Sequence, residues 1–183
     1  MKRPEHDEYF MRIAMAARRR ANCAGKRVGA VLVRDKRVIS TGYNGTPEGM
    51  MNCDEGGCQR CAKGRRANEG YDVCICVHAE QNAMLSAARF GTIVEGASLY
   101  TTLQPCFGCL KEVLQAKVEA AYFIHPWEPK KSLLGEYRKI QAAIPNGIKR
   151  LSVRDPDRDW ANNVQPSGTV PAPMPLTRTQ RAS

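Results

Sequence analysis

The sequence predicts an α/β fold: a three-layer α/β/α sandwich on a mixed central sheet of about five strands. Three observations carry this. Short runs of β-branched, aromatic and small apolar residues recur at 28–33, 37–42, 97–102 and 119–124. Segments with apolar residues at helical spacing lie between and before them. The resulting order, α-β-β-α-β-α-β, suits a hairpin followed by right-handed crossovers onto one sheet. With 183 residues and a 43% hydrophobic share, the chain supports one domain with a full core.

Taken in order, residues 5–22 read as an amphipathic helix. Tyr9, Phe10, Ile13, Ala16 and Ala17 face inward, Arg12 and Arg18–Arg20 face outward, and Gly25 ends the segment. Val28–Val33 and Arg37–Gly42, joined across Asp35-Lys36, form a β-hairpin. Residues 42–77 are irregular and too long for a loop inside a compact domain unless cross-linked, and five cysteines lie within them. Residues 78–90 return to helical spacing, with Ala79, Ala83, Met84, Ala87 and Phe90 toward the core and Gly91 just past the end. Ala97–Thr102 is a strand, and Pro105 opens a helix reaching about Ala116. Glu119–Ile124 is a further strand, residues 132–143 are weakly helical, and Ile148–Val153 is a last strand. From Asp155 onward, Pro166, Pro171, Pro173 and Pro175 stand among Ser, Thr and Gly. The expected organisation is therefore a domain over 1–154, with a cysteine-rich insert at 42–77, and a flexible tail over 155–183.

The net charge of +10 lies in the folded part, because acids and bases balance within 155–183. Such a surface suits phosphorylated ligands. No apolar run approaches the roughly 20 residues that span a bilayer, and MKRPEHDEYF lacks the apolar core of a secretory signal, so a cytoplasmic protein without membrane contact is expected. In a reducing compartment, eight cysteines at these spacings read as metal ligands rather than disulfides.

The chemistry concentrates in His78-Ala79-Glu80 and Pro105-Cys106-Phe107-Gly108-Cys109. His78, Cys106 and Cys109 can hold Zn2+ and leave its fourth position open, the pattern of catalytic sites. Both half-motifs fall at helix N-termini, whose field favours thiolate. Cys106 and Cys109, three residues apart, share one helical face. Glu80 is placed to carry protons. His-x-Glu with Pro-Cys-x-x-Cys is the signature of zinc deaminases acting on cytosine or adenine rings. Cys53, Cys58, Cys61 and Cys74 form a candidate second, structural zinc site, with Cys76 as the alternate and surface disulfides or free thiols as the other readings. Cys23 reads as a small buried apolar residue.

At these residues the chain resembles the cytidine deaminase superfamily, and more closely its deoxycytidylate (dCMP) deaminases. Val28–Val33 resembles the family's first strand, Gly42-Tyr43-Asn44-Gly45-Thr46-Pro47 its nucleotide-binding loop, and Cys53–Cys61 with Cys74–Glu80 the cysteine-rich insert of one branch. The resemblance covers roughly 5–125. It implies hydrolysis of dCMP to dUMP for thymidylate synthesis, with His78, Cys106 and Cys109 on the catalytic zinc and Glu80 as proton shuttle. It further places Asn44 and Ala79 at the substrate, and Lys26 or Arg27 at its phosphate. Homo-oligomers are implied as well, along with dCTP and dTTP as candidate effectors at Gly42, Tyr43, Gly45 and Thr46, Mg2+ accompanying dCTP. Two other functions fit the residues less well. An RNA or tRNA base deaminase needs a surface for an extruded base. A non-enzymatic zinc module binding nucleic acid leaves Glu80 without a purpose.

Overall fold

The computed structural model describes residues 3–62 and 74–162. Five strands make one sheet in the order β2-β1-β3-β4-β5: β1 Gly29–Arg34, β2 Arg37–Tyr43, β3 Ser98–Leu103, β4 Ala120–His125 and β5 Ile148–Arg150. The β1–β2 and β1–β3 pairs are antiparallel, whereas β3–β4 and β4–β5 are parallel. This is the expected mixed sheet. Asp35 and Lys36 take φ of 51° and 59°, the paired left-handed conformations of a type I′ turn, whose twist matches that of the strands it joins.

Strand alternation divides the core in two. On one face Val31, Val33, Tyr100 and Ile124 meet Phe10, Met11, Ala14 and Met15 of α1, His6–Arg18. On the other, Ala30, Leu32, Leu99 and Ala121 meet α3 (Ala79–Arg89), α4 (Phe107–Gln115) and Tyr137 of α5 (Leu134–Ala143). Two layers of helix thus enclose one of sheet. Short helices α2, Gln59–Ala62, and α6, Arg158–Ala161, complete the set among the described residues.

Four sequence expectations change. The α1 helix buries Phe10, Met11, Ala14, Met15 and Arg18, while Tyr9 is half exposed and Ala16 faces solvent. Several apolar stripes fit this helix, and only the sheet decides which one is covered. Arg18, expected on the polar side, is fully buried and donates two hydrogen bonds, 2.7 and 2.6 Å, to Asp155. Phe90, expected in the core, is exposed because α3 stops at Arg89. The last strand ends at Arg150 rather than Val153.

The boundary after residue 154 also moves. Asp155 is 3% exposed and held by Arg18 and by His125 Nε2 at 2.7 Å. Ala161 is buried, and its carbonyl accepts the Arg27 N–H at 2.7 Å. The packed body therefore reaches Asn162. Residues 163–183, most of the expected tail, lie outside the described residues, as does 63–73 of the insert.

Candidate active site

Strand β3 carries the site. Its end, Leu103-Gln104-Pro105, leads into α4, and α3 packs beside it, so the N-termini of α3 and α4 converge beyond the carboxyl end of β3. His78 is the N-cap of α3 and Cys106 that of α4, both in extended backbone. Pro105, expected as the first helical residue, instead precedes the cap, and its carbonyl accepts the Tyr137 hydroxyl at 2.6 Å. The Tyr137 oxygen also accepts Gln104 Nε2 at 3.1 Å, so α5 holds the loop that delivers Cys106. Gln81 fixes the other half. Its Oε1 accepts the His78 N–H at 3.0 Å, and its Nε2 donates to Glu112 on α4 at 2.9 Å.

The result is three donor atoms in one place. His78 Nδ1 lies 3.3 Å from Cys109 Sγ and 3.4 Å from Cys106 Sγ. Bond lengths of about 2.05 Å to nitrogen and 2.3 Å to sulfur put neighbouring donors of a tetrahedral zinc about 3.6 Å apart. The residues fit that ion. Hydrogen bonding from Cys109, reinforced by His78, holds the Cys106 thiol down to about 4, while the Cys106 interaction raises His78 to about 9. Cys106 thus carries the negative charge that a cation requires.

Glu80 is 4% exposed and accepts the Thr101 hydroxyl at 3.0 Å. Burial raises its carboxyl above the usual range, with the His78 charge opposing. A carboxyl so placed can both take and return a proton.

A cavity of about 260 Å³ opens onto this group. Lys26, Asn44, Ala79, His78, Glu80 and Cys106, all named from the sequence, line it. Arg27 does not line it: its guanidinium donates to the Trp160 carbonyl at 3.0 Å and lies 4.8 Å from the Trp160 ring centre. Asn44 is committed to the backbone, with Oδ1 accepting the Val28 N–H and Nδ2 donating to the Lys26 carbonyl, both at 2.7 Å. It therefore shapes the segment that presents Lys26. The four loop residues read as an effector site do not line the cavity. Gly42 sits against α3, where a Cβ would overlap the backbone of Ala79 and Ala83. The Tyr43 carbonyl accepts Asn82 Nδ2 at 2.6 Å, Gly45 pairs with Val77, and the Thr46 N–H donates to Asn22.

Sequence reasoning missed Arg60, Gln104, Trp127 and Asn162 in the cavity wall. Arg60 carried a usable signal, a cation inside Cys58-Gln59-Arg60-Cys61. Trp127 and Asn162 lie beyond the motifs, and nothing local marks them.

The cysteines regroup. All eight are free thiols. Cys53, Cys58, Cys61 and Cys74 lie in one group of six thiols but do not make a single four-donor set. Cys23, Cys53, Cys61 and Cys76 gather in one set, and Cys58, Cys61, Cys74 and Cys76 in another. Cys23 is buried, as expected, and its sulfur also belongs to the first set, while Cys76 belongs to both sets.

Residues 4–125 match the family described as cytidine and deoxycytidylate deaminase zinc-binding region. The deoxycytidylate deaminase of Schizosaccharomyces pombe is 46% identical over 121 residues, covering 66% of this chain and 37% of that protein. The enzyme of that name from Mycobacterium phage D29 is 41% identical over 128 residues, 67% of this chain and 97% of the relative. The chain therefore matches well under half the length of the yeast protein and nearly all of the phage one. The crystal structure of a dCMP deaminase from cyanophage S-TIM5 in complex with dCMP and dUMP superposes with a TM-score of 0.62 at 25% identity, over 82% of this chain and 100% of that one. Fold, zinc-binding region and relatives agree, and the chain belongs to the cytidine and deoxycytidylate deaminase family.

Proposed function

We propose that the chain hydrolyses dCMP to dUMP and ammonia. The carrying observation is one cavity lined by His78 and Cys106, whose third partner Cys109 lies buried 3.3 Å from His78 Nδ1, together with the buried carboxyl of Glu80 and the cations Lys26 and Arg60. His78 Nδ1, Cys106 Sγ and Cys109 Sγ hold zinc in this reading. When bound, the ion supplies a Lewis acid that makes water nucleophilic near neutral pH. Glu80 accepts a proton from the water as oxygen bonds to C4 of the ring, and delivers it to N3. It then transfers the second water proton to the exocyclic nitrogen, the C4–N bond breaks, and ammonia leaves. Thr101 orients the carboxylate through the hydroxyl it donates. Lys26 and Arg60 meet the 5′-phosphate, which selects nucleotide over nucleoside. Support comes from the dCMP and dUMP bound in the S-TIM5 structure and from the names of the yeast and phage relatives.

The test is ammonia release from dCMP, deoxycytidine and a cytosine-bearing oligonucleotide, in wild type and Glu80→Ala, with zinc measured on both. Turnover of dCMP is expected, lower by about 10²–10⁴-fold in Glu80→Ala with zinc retained. Preferred turnover of the oligonucleotide would make the chain a nucleic-acid base deaminase instead. Running each arm with and without dCTP and Mg2+, or dTTP, tests the effector role of Gly42–Thr46. Sizing the same samples tests homo-oligomer formation.

A further inference from the structure

Six thiols from four separate stretches meet beside the site: Cys23 after α1, Cys53 in a short 3-10 turn, Cys58 and Cys61 around α2, and Cys74 and Cys76 ahead of α3. Within each of the two four-sulfur sets, every donor atom lies within 4.8 Å of the others. The sets share two members, Cys61 and Cys76. We propose that these six cysteines hold a binuclear zinc–thiolate cluster, with Cys61 and Cys76 bridging both ions, Cys23 and Cys53 terminal on one, and Cys58 and Cys74 terminal on the other.

The spacing fits zinc and not disulfides. Cys23 and Cys61 sulfurs are 4.0 Å apart, and those of Cys58 and Cys74 are 3.9 Å apart. A tetrahedral ion with bonds of about 2.3 Å to sulfur separates its ligands by about 3.8 Å, whereas a disulfide needs about 2.05 Å. Two tetrahedra sharing an edge require six sulfurs with two in common, which is the membership observed. Zn2Cys6 is an established arrangement for small zinc modules.

Charge leads to the same stoichiometry. A single ion on four thiolates leaves two spare sulfurs in the same pocket, although Cys23, Cys53, Cys58 and Cys76 are all buried. A second ion brings two positive charges and recruits the two remaining thiolates, so the net charge does not rise above that of a one-zinc, four-thiolate site. Local donors offset what remains. The Ala24 N–H donates to Cys53 Sγ at 3.3 Å, and the Arg60 guanidinium lies 4.0 Å from Cys74 Sγ.

The cluster ties the described parts of the insert together: the segment after α1, α2 and the stretch before α3 converge on it. It also borders the chemistry, since Cys23, Cys74 and Cys76 line the cavity alongside His78 and Glu80. Arg60 links cluster and cavity. Losing the cluster therefore removes a wall of the substrate pocket.

The test is zinc per chain by elemental analysis on the full chain, in wild type and in His78→Ala/Cys106→Ala, which empties the proposed catalytic position. Three ions per wild-type chain and two in the variant are expected. One ion or none in a variant whose far-UV circular dichroism matches wild type overturns the binuclear cluster. Equal zinc in both proteins overturns the His78–Cys106–Cys109 reading instead, and the variant's count still decides the cluster. If the variant fails to fold, 113Cd NMR of the cadmium-loaded wild type decides. Two all-thiolate resonances coupled to one another through bridging sulfur are expected, and a single uncoupled one refutes the proposal.

Discussion

Asp155→Asn should destabilise the protein far more than Asp157→Asn, although both aspartates pair with arginines at the end of α1. Arg18 and Asp155 are 0% and 3% exposed, whereas Arg19 and Asp157 are 67% and 24% exposed. Removing one member of a buried pair leaves the other charge without compensation and costs about 3–5 kcal/mol. An exposed pair is worth about 0.2–1 kcal/mol. The buried carboxylate also accepts His125 Nε2, so its loss releases β4 as well as α1. At about 2–4 °C per kcal/mol for a chain of this size, Asp155→Asn should lower Tm by about 10 °C and Asp157→Asn by less than about 4 °C. Urea unfolding at fixed zinc, followed by circular dichroism, measures both. The pH dependence has a defined sign. Burial alone would raise the Asp155 carboxyl, but hydrogen bonds from Arg18 and His125 and the Arg18 charge hold it down to about 2 from 3.8. A carboxyl depressed in the folded state contributes stability that is present above its unfolded value and lost as pH falls through its folded one. The gap between wild type and Asp155→Asn should therefore be constant near neutrality and narrow below about pH 4. Equal costs for the two variants, or a gap unchanged at pH 3, would refute the reasoning.

Three further outcomes follow from the site. Lys26→Met should lower kcat/KM for dCMP by about 10–100-fold, the loss of one charge-assisted contact, and leave deoxycytidine unaffected. Arg27→Met, altering a side chain that faces Trp160, should change neither by more than about twofold. Gly42→Ala forces a methyl into the backbone of Ala79 and Ala83. It should cost about 1–3 kcal/mol by overpacking and weaken zinc retention by displacing His78, both measurable on one sample. Tyr137→Phe strands the Pro105 carbonyl, which should cost about 1–3 kcal/mol and reduce zinc affinity in a chelator competition, while Tyr9→Phe, altering a half-exposed ring, should do neither.

The chemical core was legible because its determinants are local. His78-Ala79-Glu80 and Pro105-Cys106-Phe107-Gly108-Cys109 each sit within one turn of a helix start, so their spacing alone dictates which atoms can share an ion. The central strands were legible as short, nearly continuous apolar runs, the pattern of a sheet covered on both faces. What failed was long-range. Arg18 looked like a surface cation until Asp155, 137 positions away, arrived to pair with it. Tyr9 and Ala16 fitted an apolar stripe as well as Met11 and Met15 do, and only packing against Val31, Val33 and Tyr100 selected between them. Cys23 had no cysteine neighbour in sequence, yet its sulfur lies 4.0 Å from that of Cys61. The sequence by itself determined the residue types, the two metal-ligand spacings and the alternation of helix and strand. Tertiary structure alone decided which cysteine sulfurs gather together, which of Lys26 and Arg27 reaches the cavity, and that the chain beyond Arg154 closes its wall. Those choices depend on distances between segments that no local pattern encodes.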